Sequence, residues 1–210
     1  MPRFEPLPPL YAILDPELAG KRRPADVLLQ ILQGGAKLVQ LRAKRLSSRD
    51  FLELAREFCP LMRSFGSRLI INDRVDIALA CGADGVHLGQ DDLPLGAAKK
   101  LMSNGIVGVS THDPAQAREA ERAGADYIGF GPMFGTSTKE TGYSARGIEM
   151  LREVRTAVKL PIVAIGGITE QSVGEVWQAG ADSAAIISDI LRADEPAEKV
   201  RRILALGQRA

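Results

Sequence analysis

The sequence predicts a single-domain (β/α)8 barrel, the TIM-barrel form of the α/β class, over residues 1–210. Three observations carry that expectation. A short phrase recurs four times, as Gly35-Ala36-Lys37, Gly82-Ala83-Asp84, Gly124-Ala125-Asp126 and Gly180-Ala181-Asp182. Each copy follows a helix-like segment and leads into an aliphatic run, as a glycine C-cap followed by a tight turn into a buried strand should. Four more aliphatic runs lie between the copies, so the strands come in four similar pairs. An open doubly wound sheet has no reason to repeat in quarters, whereas a closed barrel of eight strands does.

In chain order, an N-terminal extension (1–9) precedes a strand at 10–14 and a helix at 23–33. The first copy of the phrase leads to a strand at 38–41. A helix at 47–63 follows, opened by Ser47 and the early acid Asp50, and Pro60 is expected to end or kink it. Strands at 69–71 and 85–88 flank a helix at 75–81. A helix at 95–102 precedes a strand at 106–109. Asp113-Pro114 then supplies a cap and a proline at the first helical position for a helix at 114–123. A strand at 127–130 opens into the longest connection. The chain closes with a helix at 147–158, a strand at 161–165, a helix at 170–179, a strand at 183–187 and a helix at 195–206.

Composition bounds the function. Twenty-seven basic residues against 26 acidic ones leave a net charge of +1. That balance argues against a nucleic-acid binder and against a basic membrane-surface helix. No run approaches the roughly 18 apolar residues of a membrane span, and the first ten residues do not read as a signal peptide. Cys59 and Cys81 have neither disulfide nor metal-ligand spacing and read as small core residues. A cytoplasmic setting is expected.

A barrel places its chemistry just after its strands, and polar groups gather there. In Gln40-x-Arg42-x-Lys44, alternate positions point the same way, so an amide and two cations converge. Such cations suit a phosphorylated ligand, Arg through a bidentate contact and Lys as a point charge. Asp73, after Asn72, and Asp92 come from neighbouring strands. They could form an acid/base couple, a magnesium site or helix caps. With Arg42 and Lys44 alongside, Mg2+ completed by substrate phosphate is preferred, with Asp91 the weaker candidate of its pair. Gly166-Gly167 after strand seven and Ile187-Ser188 after strand eight suit a phosphate monoester. The long loop carrying Thr136, Ser137, Thr138 and Lys139 suits a closing, ligand-binding role. His87 reads as a hydrogen-bonded core histidine, and His112 has no assigned partner. Neither a catalytic triad nor a dinucleotide fingerprint is present.

These motifs, in order along almost the whole chain, resemble the thiamine-phosphate synthase family. The matching stretches are Gln40-Leu41-Arg42-Ala43-Lys44, the Asn72-Asp73 strand end, and the run from Ala83 through His87 to Asp92. Ser110, the Thr136-x-Thr138-Lys139 loop and Gly166-Gly167 complete them. The resemblance implies condensation of 4-amino-2-methyl-5-hydroxymethylpyrimidine diphosphate with 4-methyl-5-(2-phosphoethyl)thiazole to thiamine phosphate and diphosphate. Diphosphate would leave first, and the thiazole nitrogen would capture the pyrimidine-methyl cation. By the same resemblance, Gln40, Leu41, Arg42, Ala43, Lys44, Asn72, Ser110 and Lys139 would hold the pyrimidine diphosphate. Arg42, Lys44 and Lys139 would stabilise the leaving group. Thr136, Ser137, Thr138, Gly167, Ile187 and Ser188 would hold the thiazole phosphate, and Asp73 and Asp92 one Mg2+. The sequence departs from the family in Ala43, where Glu is frequent, and in Gly135, where proline is frequent. The alternatives are a thiazole tautomerase on the same barrel and a non-catalytic barrel that binds thiamine phosphates. The partners implied are small phosphorylated molecules, with a homo-oligomer possible.

Overall fold

The computed structural model describes residues 6–135 and 144–207. Eight parallel strands close into a barrel in simple order, each hydrogen-bonded to its sequence neighbours and β8 back to β1. The first half runs β1 (Leu10–Leu14), α1 (Pro24–Gln33), β2 (Leu38–Leu41), α2 (Ser48–Ser64), β3 (Arg68–Asn72), α3 (Val75–Cys81), β4 (Gly85–Leu88) and α4 (Leu95–Leu101). The second half runs β5 (Ile106–Thr111), α5 (Pro114–Arg122), β6 (Tyr127–Phe130), α6 (Gly147–Ala157), β7 (Ile162–Ile165), α7 (Val173–Gln178), β8 (Ser183–Ile186), α8 (Ser188–Leu191) and α9 (Pro196–Gly207). The predicted fold class stands.

Three local expectations need correction. Pro60 lies inside α2, which continues to Ser64, so it does not end the helix. Strand β5 runs two residues further than the aliphatic pattern and takes in Ser110. One helix was not anticipated: α8 spans only four residues, too few to show a period of 3.6.

The fourfold phrase now has a physical meaning. Its glycines, Gly35, Gly82, Gly124 and Gly180, all adopt positive φ, between 70° and 103°, which side-chain-bearing residues rarely tolerate. Its aspartates staple strand pairs. Asp84 accepts the Leu69 N–H at 2.8 Å, Asp126 the Val107 N–H at 2.7 Å, and Asp182 the Ile162 N–H at 2.8 Å. Each carboxylate thus holds the start of the preceding strand from the bottom of the barrel. Lys99 and Arg155 add ion pairs to Asp126 and Asp182 at 2.8 and 2.9 Å. Lys37, in the remaining copy, instead bonds the Phe65 carbonyl at 2.7 Å.

Strand alternation divides the apolar residues into two cores. An outer layer lies between strands and helices. An inner one fills the lower barrel with Leu7, Tyr11, Ile13, Leu38, Ile70, Ile106, Tyr127, Val163 and Ala185. Leu7 belongs to this plug, so the end of the N-terminal extension closes the barrel floor. Trp177 of α7 ties it down by donating its indole N–H to the Pro9 carbonyl at 3.1 Å.

Candidate active site

With the floor filled, the upper barrel is left open as a cavity of about 270 Å³. Every strand contributes to its wall: Ile13, Gln40, Asn72, His87, Ser110, Gly129, Ile165 and Ala185. The alternation predicted for strand two holds, since Gln40, Arg42 and Lys44 all line the cavity. Leu41 and Ala43 do not; both side chains are buried in the outer core.

Each cation is held by an acid. Arg42 pairs with Asp15, and Lys44 with Asp73. Asp15, 1% exposed, also accepts the Glu17 N–H at 3.1 Å. It aims the guanidinium while leaving the rest of that five-donor fork for a ligand. Sequence reasoning missed Asp15. Its one signal was its position, an acid directly after a barrel strand.

Asp73 has φ of 63°, the one positive value outside glycine among the described residues. The Arg74 N–H bonds the Asn72 carbonyl at 2.8 Å around it, forming a three-residue turn directly after β3. This is not a helix cap: α3 begins at Val75, with Arg74 in the cap position. Backbone strain of this kind costs about 1–3 kcal/mol and concentrates at functional sites. Here it carries the carboxylate to Lys44 and to Asp92. Asp92 accepts the Gly89 N–H at 2.6 Å. Burial, and then the Asp73 carboxyl beside it, raise the Asp92 pKa; the Gly89 N–H and Lys44 oppose that shift. Two carboxyls crowded together in a half-buried site are an oxygen donor pair for a hard cation. Among the described residues, no three or more His, Cys, Asp or Glu come together in an arrangement that could hold a metal ion. Neither Asp91 nor Asp92 lines the cavity itself; Asp92 is half-buried and meets Asp73, which does line it, whereas Asp91 is exposed.

The opposite wall is built from backbone. Gly166 and Gly167 have φ of 102° and 68°. A Cβ on Gly167 would lie 2.7 Å from the Gly135 carbonyl oxygen and 2.9 Å from the Phe134 Cβ. The start of the β6–α6 loop packs directly on this turn, with the Phe134 N–H bonded to the Gly166 carbonyl at 2.9 Å. Ile187 and Ser188 line the cavity next to it, where α8 begins. That short helix is tethered on both sides. Arg22 donates to the Leu191 carbonyl, and to that of Ala193 at 3.1 Å. Asp189 accepts the Glu170 N–H at 2.8 Å. Lys199 binds Glu170 and Asp189 at 2.9 and 3.2 Å. Thr136, Ser137, Thr138 and Lys139 lie outside the described residues.

Both histidines reach the cavity wall. His87 is a buried, hydrogen-bonded core histidine, as its place on the strand suggested. Its Nδ1 lies 3.0 Å from the Tyr127 hydroxyl and its Nε2 3.0 Å from Ser110 Oγ. His112 donates its Nδ1–H to the Gly131 carbonyl at 2.6 Å, which ties the end of β5 to the loop after β6. Tyr11 and Tyr127 were legible only as apolar core.

A family model described as thiamine monophosphate synthase matches residues 10–190. The chain belongs to that family. It is 44% identical over 197 residues to the thiamine-phosphate synthase of Chloroflexus aurantiacus, covering 94% of this chain and 91% of the relative. It is 46% identical over 184 residues to the thiamine-phosphate synthase of Chlorobium luteolum, covering 87% of each. Among solved structures it is similar to thiamine phosphate pyrophosphorylase from Pyrococcus furiosus, with a TM-score of 0.89 at 34% identity over 96% of both chains.

Proposed function

We propose that this chain is a thiamine-phosphate synthase. It joins 4-amino-2-methyl-5-hydroxymethylpyrimidine diphosphate to 4-methyl-5-(2-phosphoethyl)thiazole, releasing diphosphate. The observation that carries this reading is a single cavity with two unlike anion-receiving ends. Arg42, Lys44 and Asp73 stand at one end, with Asp92 beside Asp73, and Gly166, Gly167, Ile187 and Ser188 at the other. A reaction between two phosphorylated molecules needs both. Thiazole isomerisation needs only the second, so the paired acids and cations favour the synthase over the tautomerase and over a passive carrier.

Asp73 and Asp92 fit Mg2+, which characteristically takes one or two carboxylates and completes its shell with water and substrate phosphate. Bound there, it would neutralise charge on the diphosphate as that group leaves. The protein's own part is positioning and charge. Arg42, aimed by Asp15, and Lys44, held by Asp73, face the leaving group, and Lys139 is proposed as a third cation there. Diphosphate departs with the electrons of its C–O bond. The thiazole nitrogen, placed by the glycine turn and Ser188, supplies the pair for the new C–N bond. No nucleophile or strong base is required. Gln40, Asn72 and Ser110 hold the pyrimidine, and Thr136, Ser137 and Thr138 the thiazole phosphate.

The test supplies both substrates with and without Mg2+ and follows both products. Thiamine phosphate and diphosphate appearing only with the metal supports the proposal. Isomerisation of the thiazole without condensation would favour the tautomerase, and no turnover of either kind the passive carrier.

A further inference from the structure

We propose that Tyr11, Tyr127 and His87 form a one-way hydrogen-bond relay through the barrel interior that fixes the Ser110 hydroxyl as a donor into the cavity. The three buried side chains are then positioning residues for the ring bound above them, a role that rests on the pyrimidine site proposed above. The relay starts at Gln40, whose Nε2–H donates to the Tyr11 hydroxyl at 2.9 Å. With its oxygen accepting, Tyr11 gives its own proton to the Tyr127 hydroxyl, 3.1 Å away. Tyr127 in turn donates to His87 Nδ1 at 3.0 Å. A neutral imidazole that accepts at Nδ1 carries its proton on Nε2, and Nε2 lies 3.0 Å from Ser110 Oγ. Ser110 therefore accepts from His87, and its proton turns to another partner. Its residue and Gln40 both line the cavity. The two ends of the chain thus offer different groups: the carbonyl oxygen of Gln40 as acceptor and the Ser110 hydroxyl as donor. An amino group beside a ring nitrogen, as on an aminopyrimidine, requires that pair.

The surroundings are built to keep this chain in place. Tyr11 and Tyr127 are 1% and 0% exposed, and burial raises both phenol pKa values, so both remain proton-bearing donors. His87 stacks on Tyr127 with ring centroids 5.5 Å apart, and Tyr11 meets Tyr127 edge-on at 6.0 Å. A Cβ on Gly129 would lie 2.8 Å from His87 Cε1, and one on Gly108 would overlap the Tyr127 ring. Two strands omit side chains where the relay passes. Hydrogen bonds running in one sense polarise one another, so polarity set at Gln40 reaches Ser110 across four links.

The decisive measurement is imidazole 15N–1H NMR on the full, ligand-free chain at mildly alkaline pH. The chain has two histidines, and His112, bonded through Nδ1 to a carbonyl, serves as the opposite-tautomer reference. The expected result is His87 protonated on Nε2 alone. Tyr11→Phe should mix that tautomer although Tyr11 does not touch His87, whereas Ser110→Ala, at the receiving end, should leave it unchanged. Tyr127→Phe should raise KM for the pyrimidine diphosphate about tenfold, the value of one hydrogen bond, with a smaller effect on kcat. His87 protonated on Nδ1, or a tautomer that responds to Ser110→Ala and not to Tyr11→Phe, overturns the relay. If Tyr11→Phe fails to fold, the wild-type tautomer decides alone. The NMR arm needs no substrate. A protein with the expected tautomers that makes no thiamine phosphate would therefore contradict the synthase reading and leave the relay standing.

Discussion

At the scale of single residues, the site depends on acids that hold cations in place. Asp15 is the least obvious of them. Its carboxylate is nearly inaccessible and its partner Arg42 is largely buried, with side-chain exposures of 2% and 15%. Asp15→Asn keeps the shape and removes the charge that aims the guanidinium. We expect a fall in kcat/KM of about tenfold or more and a loss of about 1–3 kcal/mol of stability, read by steady-state kinetics and denaturant unfolding. Asp92→Asn should act differently. It removes one of two crowded carboxyls, so the fold should hold or gain slightly while the Mg2+ concentration for half-maximal rate rises by about an order of magnitude. Equal metal dependence in the variant and the parent would remove Asp92 from the metal site. At this scale the sequence was informative wherever side chains alternate on a strand end, as with Gln40, Arg42 and Lys44. For Asp15 it offered only an acid directly after a strand, because nothing in a local pattern announces a pairing 27 residues distant.

At the scale of elements, the repeated Gly-Ala-Asp phrase shows what spacing conveys and what it does not. The glycines were readable as helix ends because a positive φ after a helix leaves few other choices. The aspartates were not, because their partners are backbone N–H groups on the preceding strand, and a backbone donor leaves no mark in sequence. Asp126→Ala removes the Val107 bond and the Lys99 pair together. We expect about 1–3 kcal/mol of destabilisation, a drop of roughly 2–4 °C in Tm per kcal/mol for a chain of this size, with kinetics unchanged because the staple sits at the far end of the barrel. Gly167→Ala tests the other face. Its positive φ and the 2.7 Å approach to the Gly135 oxygen leave no room for a methyl group. The expected outcome is weakened thiazole phosphate binding, measured by titration calorimetry, with pyrimidine diphosphate binding retained. Helix α8, which borders the same turn, escaped notice for want of length, and its tethers come from residues as distant as Arg22 and Lys199.

For the molecule as a whole, the closed barrel separates stability from chemistry. The lower half is a packed plug that Leu7 completes, and the upper half is an open cavity to which all eight strands contribute. The near-zero net charge describes the surface and conceals this interior arrangement, in which cations and acids balance at one wall while backbone serves the other. The fold was legible because eight short aliphatic runs and four repeated turns admit few architectures. The interior relay was not, because tyrosines inside a barrel look like any other buried aromatic until their hydroxyls are seen to meet. Coupling of the two anion-receiving ends is the central claim, and single-turnover stoichiometry tests it most directly. With enzyme in excess, Mg2+ present and both substrates supplied, diphosphate and thiamine phosphate should form one for one. Diphosphate released without matching thiamine phosphate, or a protein that releases none, would contradict it.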